Sequence, residues 1–127
     1  VSDTQGEVTL FTDGVEGWSP SFLEVGKHGS LKVRTNAIDK AIERGEIPAP
    51  DIVKMDIEGA EILVLRGMRK LLSCEQVPRA FFIEIHPDYL THFDSCYAEV
   101  QSLLESFGYR EEYKVVRGAQ IHCIYRR

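Results

Sequence analysis

The feature that most constrains the fold is a pair of short apolar strands, each followed by a segment with helical periodicity. The first strand is predicted at Ile52–Asp56 and the second at Ala80–His86, where Pro87 ends it. Between them, Glu58–Leu72 has apolar residues every three or four positions, which is typical of a helix with one buried face. A second such helix is predicted at Ser95–Phe107. Strands that alternate with helices predict an α/β fold with a parallel sheet and crossover helices.

The carboxyl-terminal segment changes this pattern. Tyr109–Val116 and Gln120–Tyr125 are rich in strand-forming residues and flank Gly118, so we expect them to form an antiparallel hairpin that completes the sheet. At 127 residues the chain is long enough for one domain with its own core. We therefore predict a single domain over residues 1–127, with the α/β core in residues 51–127.

Residues 1–50 are predicted to be less regular. The glycines and the proline of Asp13–Gly29 interrupt any regular element there, so this segment is predicted to be a mobile connection. The regular elements expected around it are two strands and a short helix, at Glu7–Thr12, Leu31–Thr35 and Ala37–Arg44.

Composition excludes several classes of protein. The net charge is −5 and no long basic run is present, which argues against a nucleic-acid or anionic-membrane binder. No apolar run reaches transmembrane length. The three cysteines, Cys74, Cys96 and Cys123, are far apart in sequence and odd in number, so buried or partly buried reduced thiols in a cytoplasmic protein are expected.

Polar side chains lie where the two central strands end. If the strands are parallel neighbours with aligned ends, Asp56 lies beside His86, and Lys54 lies beside Glu84 two residues earlier. Charged residues inside apolar strands are costly to bury unless they are paired. The sequence therefore predicts a polar cluster at the edge of the sheet where α/β proteins bind their ligands.

Each member of this cluster has a structural alternative. Asp56 could cap the following helix, and Lys54 and Glu84 could form an ion pair that serves only the fold. His86 could act as a general base or could only donate a hydrogen bond. A metal site is a further alternative, but its four candidate ligands have no recognised ligand spacing and no metal is predicted. Those four residues are His86, Asp88, His92 and Asp94.

The segment Val53–Glu61, which reads Val-Lys-Met-Asp-Ile-Glu-Gly-Ala-Glu, resembles the signature of FkbM-type methyltransferases. The segments Phe82–Pro87 and Val1–Leu10 extend the resemblance over essentially the whole chain. It implies a Rossmann-like class I methyltransferase fold and transfer of the methyl group of S-adenosylmethionine, commonly to a hydroxyl of a small molecule or saccharide. It also implies that the turn Asp56–Gly59 lies beside the methyl donor and the acceptor.

We infer roles for seven residues of the segments that carry the resemblance. His86 or Asp56 is expected to accept the proton of the substrate. The cofactor is expected at Asp56, Glu58 and Gly59, and support for the substrate or for the geometry of the site is expected from Lys54, Glu61 and Glu84.

One departure from the family pattern limits these expectations. The family's first strand, its glycine-rich cofactor loop and the acid that binds the cofactor ribose would all precede Val1. We therefore expect these 127 residues to be the substrate-side half of the domain, to bind S-adenosylmethionine weakly and to be inactive alone. The strand Ile52–Asp56 would lack its inner neighbour, which predicts a homodimer through this edge.

Two other functions compete with the methyltransferase. The chain could be a non-catalytic α/β association module derived from such an enzyme. A metal-dependent hydrolase that uses His86 and His92 is a third, less favoured hypothesis. The methyl acceptor is not encoded in any recognisable motif.

Overall fold

The structure, a computed structural model, describes residues 1–12, 29–75 and 78–127. It contains both helices and strands, which confirms the α/β class. The predicted mobile connection at residues 13–28 lies outside the described residues. No helix in the described ranges is long and apolar enough to cross a membrane.

The main sheet has four strands in the order β3-β4-β6-β5. Strand β3 pairs in parallel with β4, whereas β4–β6 and β6–β5 are antiparallel, as predicted for a parallel unit completed by a hairpin. These four strands are β3 (Ile52–Asp56), β4 (Ala80–Ile85), β5 (Arg110–Arg117) and β6 (Gln120–Arg126).

A separate antiparallel pair is formed by β1 (Gly6–Thr12) and β2 (Gly29–Thr35). Both strands were predicted, but their pairing was not. The connection to the main sheet runs through α1 (Ile38–Glu43), whose end is followed by Gly45 at a φ of 69°.

The crossover from β3 to β4 contains two short helices instead of the single predicted helix Glu58–Leu72. The first, α2, spans Glu61–Arg66, and the second, α3, spans Arg69–Ser73. Gly67 separates them, and a Cβ atom there would lie 2.2 Å from the carbonyl oxygen of Ser2. The amino-terminal segment therefore packs against the helix break, and the carboxylate of Asp39 accepts the Lys70 and Leu71 amide hydrogens at the start of α3.

After β4 the chain forms α4 (Pro87–Leu90), a 3-10 turn (Thr91–Phe93) and α5 (Tyr97–Ser106). Gly108 follows α5 at a φ of 86°, as expected for a glycine just past a helix end.

The core lies between one face of the main sheet and the helices. Phe81, Ile83 and Ile85 alternate along β4 and are fully or almost fully buried. They belong to the same apolar cluster as residues of α2, α3 and α5, including Leu65, Leu72 and Leu104. Burial of this kind stabilises the fold by roughly 25 cal/mol for each Å² of apolar surface removed from water.

The cysteines depart from the prediction that all three are at least partly buried. Cys74 and Cys96 are exposed, and Cys123 is buried, with all three free. Burial raises the pKa of the Cys123 thiol to about 11, so this thiol stays protonated and unreactive at neutral pH.

Candidate active site

Two carboxylates meet at the carboxyl ends of β3 and β4, because Asp56 pairs in register with Glu84. The predicted alignment, with Asp56 beside His86 and Lys54 beside Glu84, is wrong by two residues. Lys54 lies opposite Phe82 instead. β4 ends at Ile85, one residue before the predicted end, and its pairing with β3 ends one residue earlier still, at Glu84, so His86 lies beyond the paired residues.

Lys54 and Glu84 do not form the ion pair that was considered as a structural alternative. Instead, Nζ of Lys54 lies 3.6 Å from Oδ2 of Asp56, its neighbour on the same face of β3. The Lys54 side chain is 77% exposed. A pair this exposed contributes little to stability, because water screens both charges.

His86 is buried at the junction of β4 and α4. Its backbone carbonyl oxygen accepts hydrogen bonds from the amides of Tyr89 and Leu90, and its ring stacks on the Tyr89 ring at a centroid distance of 5.7 Å. Its Nδ1 lies 3.0 Å from Oε1 of Glu61, the first residue of α2. These contacts fix both the position and the orientation of the imidazole.

Glu61 is fully buried, and its contacts indicate which ring nitrogen of His86 carries the hydrogen. Oε1 of Glu61 also accepts the amide hydrogen of Gly59 at 3.0 Å. An oxygen in this role is an acceptor, so we infer that Nδ1 of His86 donates to it and that Nε2 carries a lone pair. The amide nitrogen of Gln120 lies 3.3 Å from Nε2, at a distance that allows donation to this lone pair.

The turn between β3 and α2 brings Glu61 into this position. Glu58 and Gly59 have φ values of 54° and 96°, which no right-handed helix contains, so the predicted helical start at Glu58 is wrong. A Cβ atom on Gly59 would lie 2.4 Å from Cβ of Tyr89, so only glycine allows this close approach. Asp56 does not cap the helix either, because Ala60 is the N-cap residue of α2 and no side chain caps it.

Three side chains of the site could together hold a metal ion. One potential ligand atom from each of Asp56, Glu84 and His86 lies within 4.8 Å of the other two. The alternative set considered from the sequence combined His86 with Asp88, His92 and Asp94. The structure groups His86 with the two strand carboxylates instead.

A cleft of about 230 Å³ opens beside the site. One wall comes from β3 and the following turn, through Asp56 and Glu58, and the other comes from the β1–β2 pair, including Arg34. The remaining lining is mostly apolar: Val1, Val8, Leu10, Val33, Thr35, Ile57 and Ala60. The predicted cofactor residues Asp56 and Glu58 therefore line the cleft, whereas Gly59 is not part of its lining and lies against Tyr89.

Two contact residues were not predicted. Gln120 reaches Nε2 of His86, and Nδ1 of His122 lies 3.7 Å from Oε2 of Glu84. Both belong to β6, and His122 pairs in register with Glu84. The sequence showed a hairpin but did not show that β6 is the strand that joins β4, so neither residue could be assigned to the site.

Comparison with known proteins identifies the family. The family model described as "Methyltransferase FkbM domain" matches residues 2–111, which include Asp56, Glu61, Glu84 and His86. The chain belongs to the FkbM methyltransferase family. The resemblance predicted from Val53–Glu61 is thereby confirmed.

A curated relative agrees with this assignment. The FkbM-family chain is 40% identical over 63 residues to the hexuronic acid methyltransferase AglP of Haloferax volcanii. The aligned region is 50% of this chain and 25% of the relative, so the match spans about a quarter of the length of that protein. No solved structure matched the chain.

Proposed function

We propose that this chain carries the acceptor side of an S-adenosylmethionine-dependent methyltransferase that acts on a hydroxyl group of a small molecule or saccharide. The observation that carries the proposal is the buried Glu61–His86 pair beside Asp56 and Glu84, in a chain of the FkbM family. This site lies at the carboxyl ends of parallel strands, where α/β proteins bind their ligands.

The cleft next to Asp56 suits a positively charged methyl donor. Asp56 and Glu58 contribute carboxylates to a mostly apolar lining, and carboxylates attract a cationic ligand. When bound, S-adenosylmethionine supplies an electrophilic methyl group on a positively charged sulfur. We assign its binding to Asp56 and Glu58, with Gly59 shaping the turn behind them.

The proton of the acceptor hydroxyl passes to Nε2 of His86 or to Asp56. Glu61 holds Nδ1 of His86, so Nε2 is the ring nitrogen that takes the proton, and the Gln120 amide 3.3 Å away must turn from it to free the lone pair. Glu84 lies 3.7 Å from Nε2 and stabilises the imidazolium that would form. Positioning of the hydroxyl contributes more to the rate than this proton transfer, because methyl transfer is an in-line displacement.

A sugar acid is the acceptor that we propose to test first. The relative AglP is named for methylation of hexuronic acid. Arg34 lines the cleft opposite Asp56, and a guanidinium binds a carboxylate through two parallel hydrogen bonds.

Transfer of labelled methyl groups to saccharides with and without a hexuronic acid tests the proposal. The assay uses the chain and a version extended at its amino end by the family's first strand, glycine-rich cofactor loop and ribose-binding acid. We expect activity in the extended version, and a loss of roughly 100-fold or more in His86→Gln and Asp56→Asn, in line with the contribution of a general base. His92→Gln, an exposed histidine outside the site, is the control. Full activity in both site variants would contradict the assignment.

The 127 residues contain no GxGxxG segment, so we propose that they bind the cofactor weakly and are inactive alone. Calorimetry with S-adenosylhomocysteine on the two versions measures this directly, and tight binding by the chain itself would overturn it. The alternative, a non-catalytic association module, is favoured by the exposed edge strand β3, where Ile52 is 53% exposed. A complete lack of methyl transfer by the extended version would support that alternative.

A further inference from the structure

We infer that Asp56, Glu84 and Nε2 of His86 together bind a divalent cation. Their ligand atoms lie within 4.8 Å of one another, so small side-chain rotations bring all three to one ion. The binding itself is independent of the proposed function, whereas its role in methyl transfer rests on that function.

His86 separates this group from an ordinary cluster of surface acids. It is 5% exposed, and its Nδ1 is held by the fully buried Glu61. A histidine that ligates a metal almost always donates its other ring hydrogen to a carboxylate, a backbone carbonyl or a water, and this second contact orients the ring. The contact between Glu61 and Nδ1 of His86 has this arrangement.

The charges around the group also favour a cation. Asp56 and Glu84 lie in register, so two carboxylates come together. Nζ of Lys54, a positively charged group, lies 3.6 Å from Oδ2 of Asp56. Because the Lys54 side chain is 77% exposed, it can turn into solvent when an ion binds. Gln120 lies 3.3 Å from Nε2 of His86 and would be displaced from that nitrogen.

The donor set indicates which cations fit. One imidazole and two carboxylates suit Mn²⁺, Fe²⁺ or Zn²⁺, whereas Mg²⁺ prefers oxygen ligands and keeps several waters. Asp56 lines the cleft, so an ion can reach the site from there.

The cation would change how the acceptor is activated. An acceptor oxygen bound to it loses its proton more readily, because the positive charge stabilises the oxyanion. Nε2 of His86 is then a ligand and has no lone pair for the proton. The proton passes to the carboxylate oxygen of Asp56 that does not bind the ion.

Titration of the chain with Mn²⁺, followed by the loss of the electron paramagnetic resonance signal of the free ion, tests the site without any cofactor. We expect one bound ion per chain, and at least roughly tenfold weaker binding in Asp56→Asn, Glu84→Gln and His86→Gln. The control His92→Gln should bind as the unchanged chain does. Absence of binding, or equal binding in all of these variants, would overturn the inference.

Glu61→Gln tests the orienting role of the carboxylate behind the ring, since the three ligands remain. Loss of such a contact typically weakens metal binding by roughly 10–100-fold. Circular dichroism in the presence of a chelator shows whether each variant is folded. If a variant is not folded, absorption spectra of Co²⁺ added to the unchanged chain test for the imidazole ligand instead.

Methyl transfer by the extended version, measured after chelation and again after addition of Mn²⁺, separates the two proposals. Mn²⁺ binding without any methyl transfer would retain the site and reject the proposed function. Methyl transfer that persists after chelation, in a protein that binds no Mn²⁺, would support the proposed function and reject the metal site.

Discussion

At the scale of a single residue, the geometry of the site depends on Gly59. Its φ of 96° and its contact with Tyr89 allow the turn to place the Gly59 amide on Glu61, and Glu61 in turn holds His86. The orientation of the imidazole therefore depends on a residue without a side chain.

Gly59→Ala is expected to lower the free energy of unfolding by roughly 2 kcal/mol or more. The new side chain would force an unfavourable backbone conformation, and its Cβ atom would lie 2.4 Å from Cβ of Tyr89. Urea denaturation measures the change.

Gly118→Ala is the matched control. Gly118 also has a positive φ, 61°, but a Cβ atom added there would point into open space, so only the backbone cost of about 1 kcal/mol should remain. An equal loss in both variants would show that the close approach to Tyr89 contributes nothing.

At the scale of the element, the start of α3 depends on a side chain from α1. Asp39 accepts the amide hydrogens of Lys70 at 2.8 Å and of Leu71 at 3.0 Å. Asp39→Ala is expected to lower the free energy of unfolding by about 1 kcal/mol, because two amides at the helix end lose their acceptor. Thermal or urea denaturation provides the measurement.

Asp51→Ala serves as the comparison for Asp39. Asp51 contacts Arg79 at 3.7 Å, and both side chains are 69% exposed, so its removal should change stability by no more than about 0.5 kcal/mol. A loss as large as that of Asp39→Ala would mean that charge, and not capping, explains the effect.

The sequence predicted the elements better than their boundaries. The central strands and the helix Ser95–Phe107 have strong periodicity, and the structure contains them within a few residues. The helix Glu58–Leu72 failed because its apolar spacing continues across Gly67, where packing against Ser2 separates two helices. Such a contact joins residues that are distant in sequence, so local pattern does not contain it.

The sequence predicted which residues belong to the site better than it predicted how they are arranged. Asp56, Glu84 and His86 were expected together and lie together, whereas Glu61 was assigned only a supporting role and is the buried contact of His86. The missing information was register: a shift of two residues replaces the predicted Lys54–Glu84 neighbours with Asp56–Glu84. Gln120 and His122 required the order of the strands, which depends on the whole sheet.

At the scale of the whole molecule, β3 is an edge of the main sheet, and no strand in the described ranges pairs with its outer side. Ile52 on this strand is 53% exposed. A homodimer through this edge remains our prediction, because unpaired backbone groups and exposed apolar side chains favour association.

Sedimentation velocity over a range of protein concentrations tests the dimer. We expect the chain to associate as concentration rises, and Ile52→Lys to shift the equilibrium toward monomer, because a charge on an edge strand opposes pairing. Val116→Lys, a change at an exposed apolar residue of the opposite edge strand β5, is the control. A monomer at the highest concentration would contradict the prediction.

The position of β4 between β3 and β6 affects how the protein unfolds locally. Its amides bond to neighbours on both sides and its side chains fill the core, so we expect them to exchange hydrogen with solvent only during global unfolding. Glu84 belongs to this strand and His86 follows it directly. Two side chains of the site would thus keep their places while the outer strands fray and close again many times.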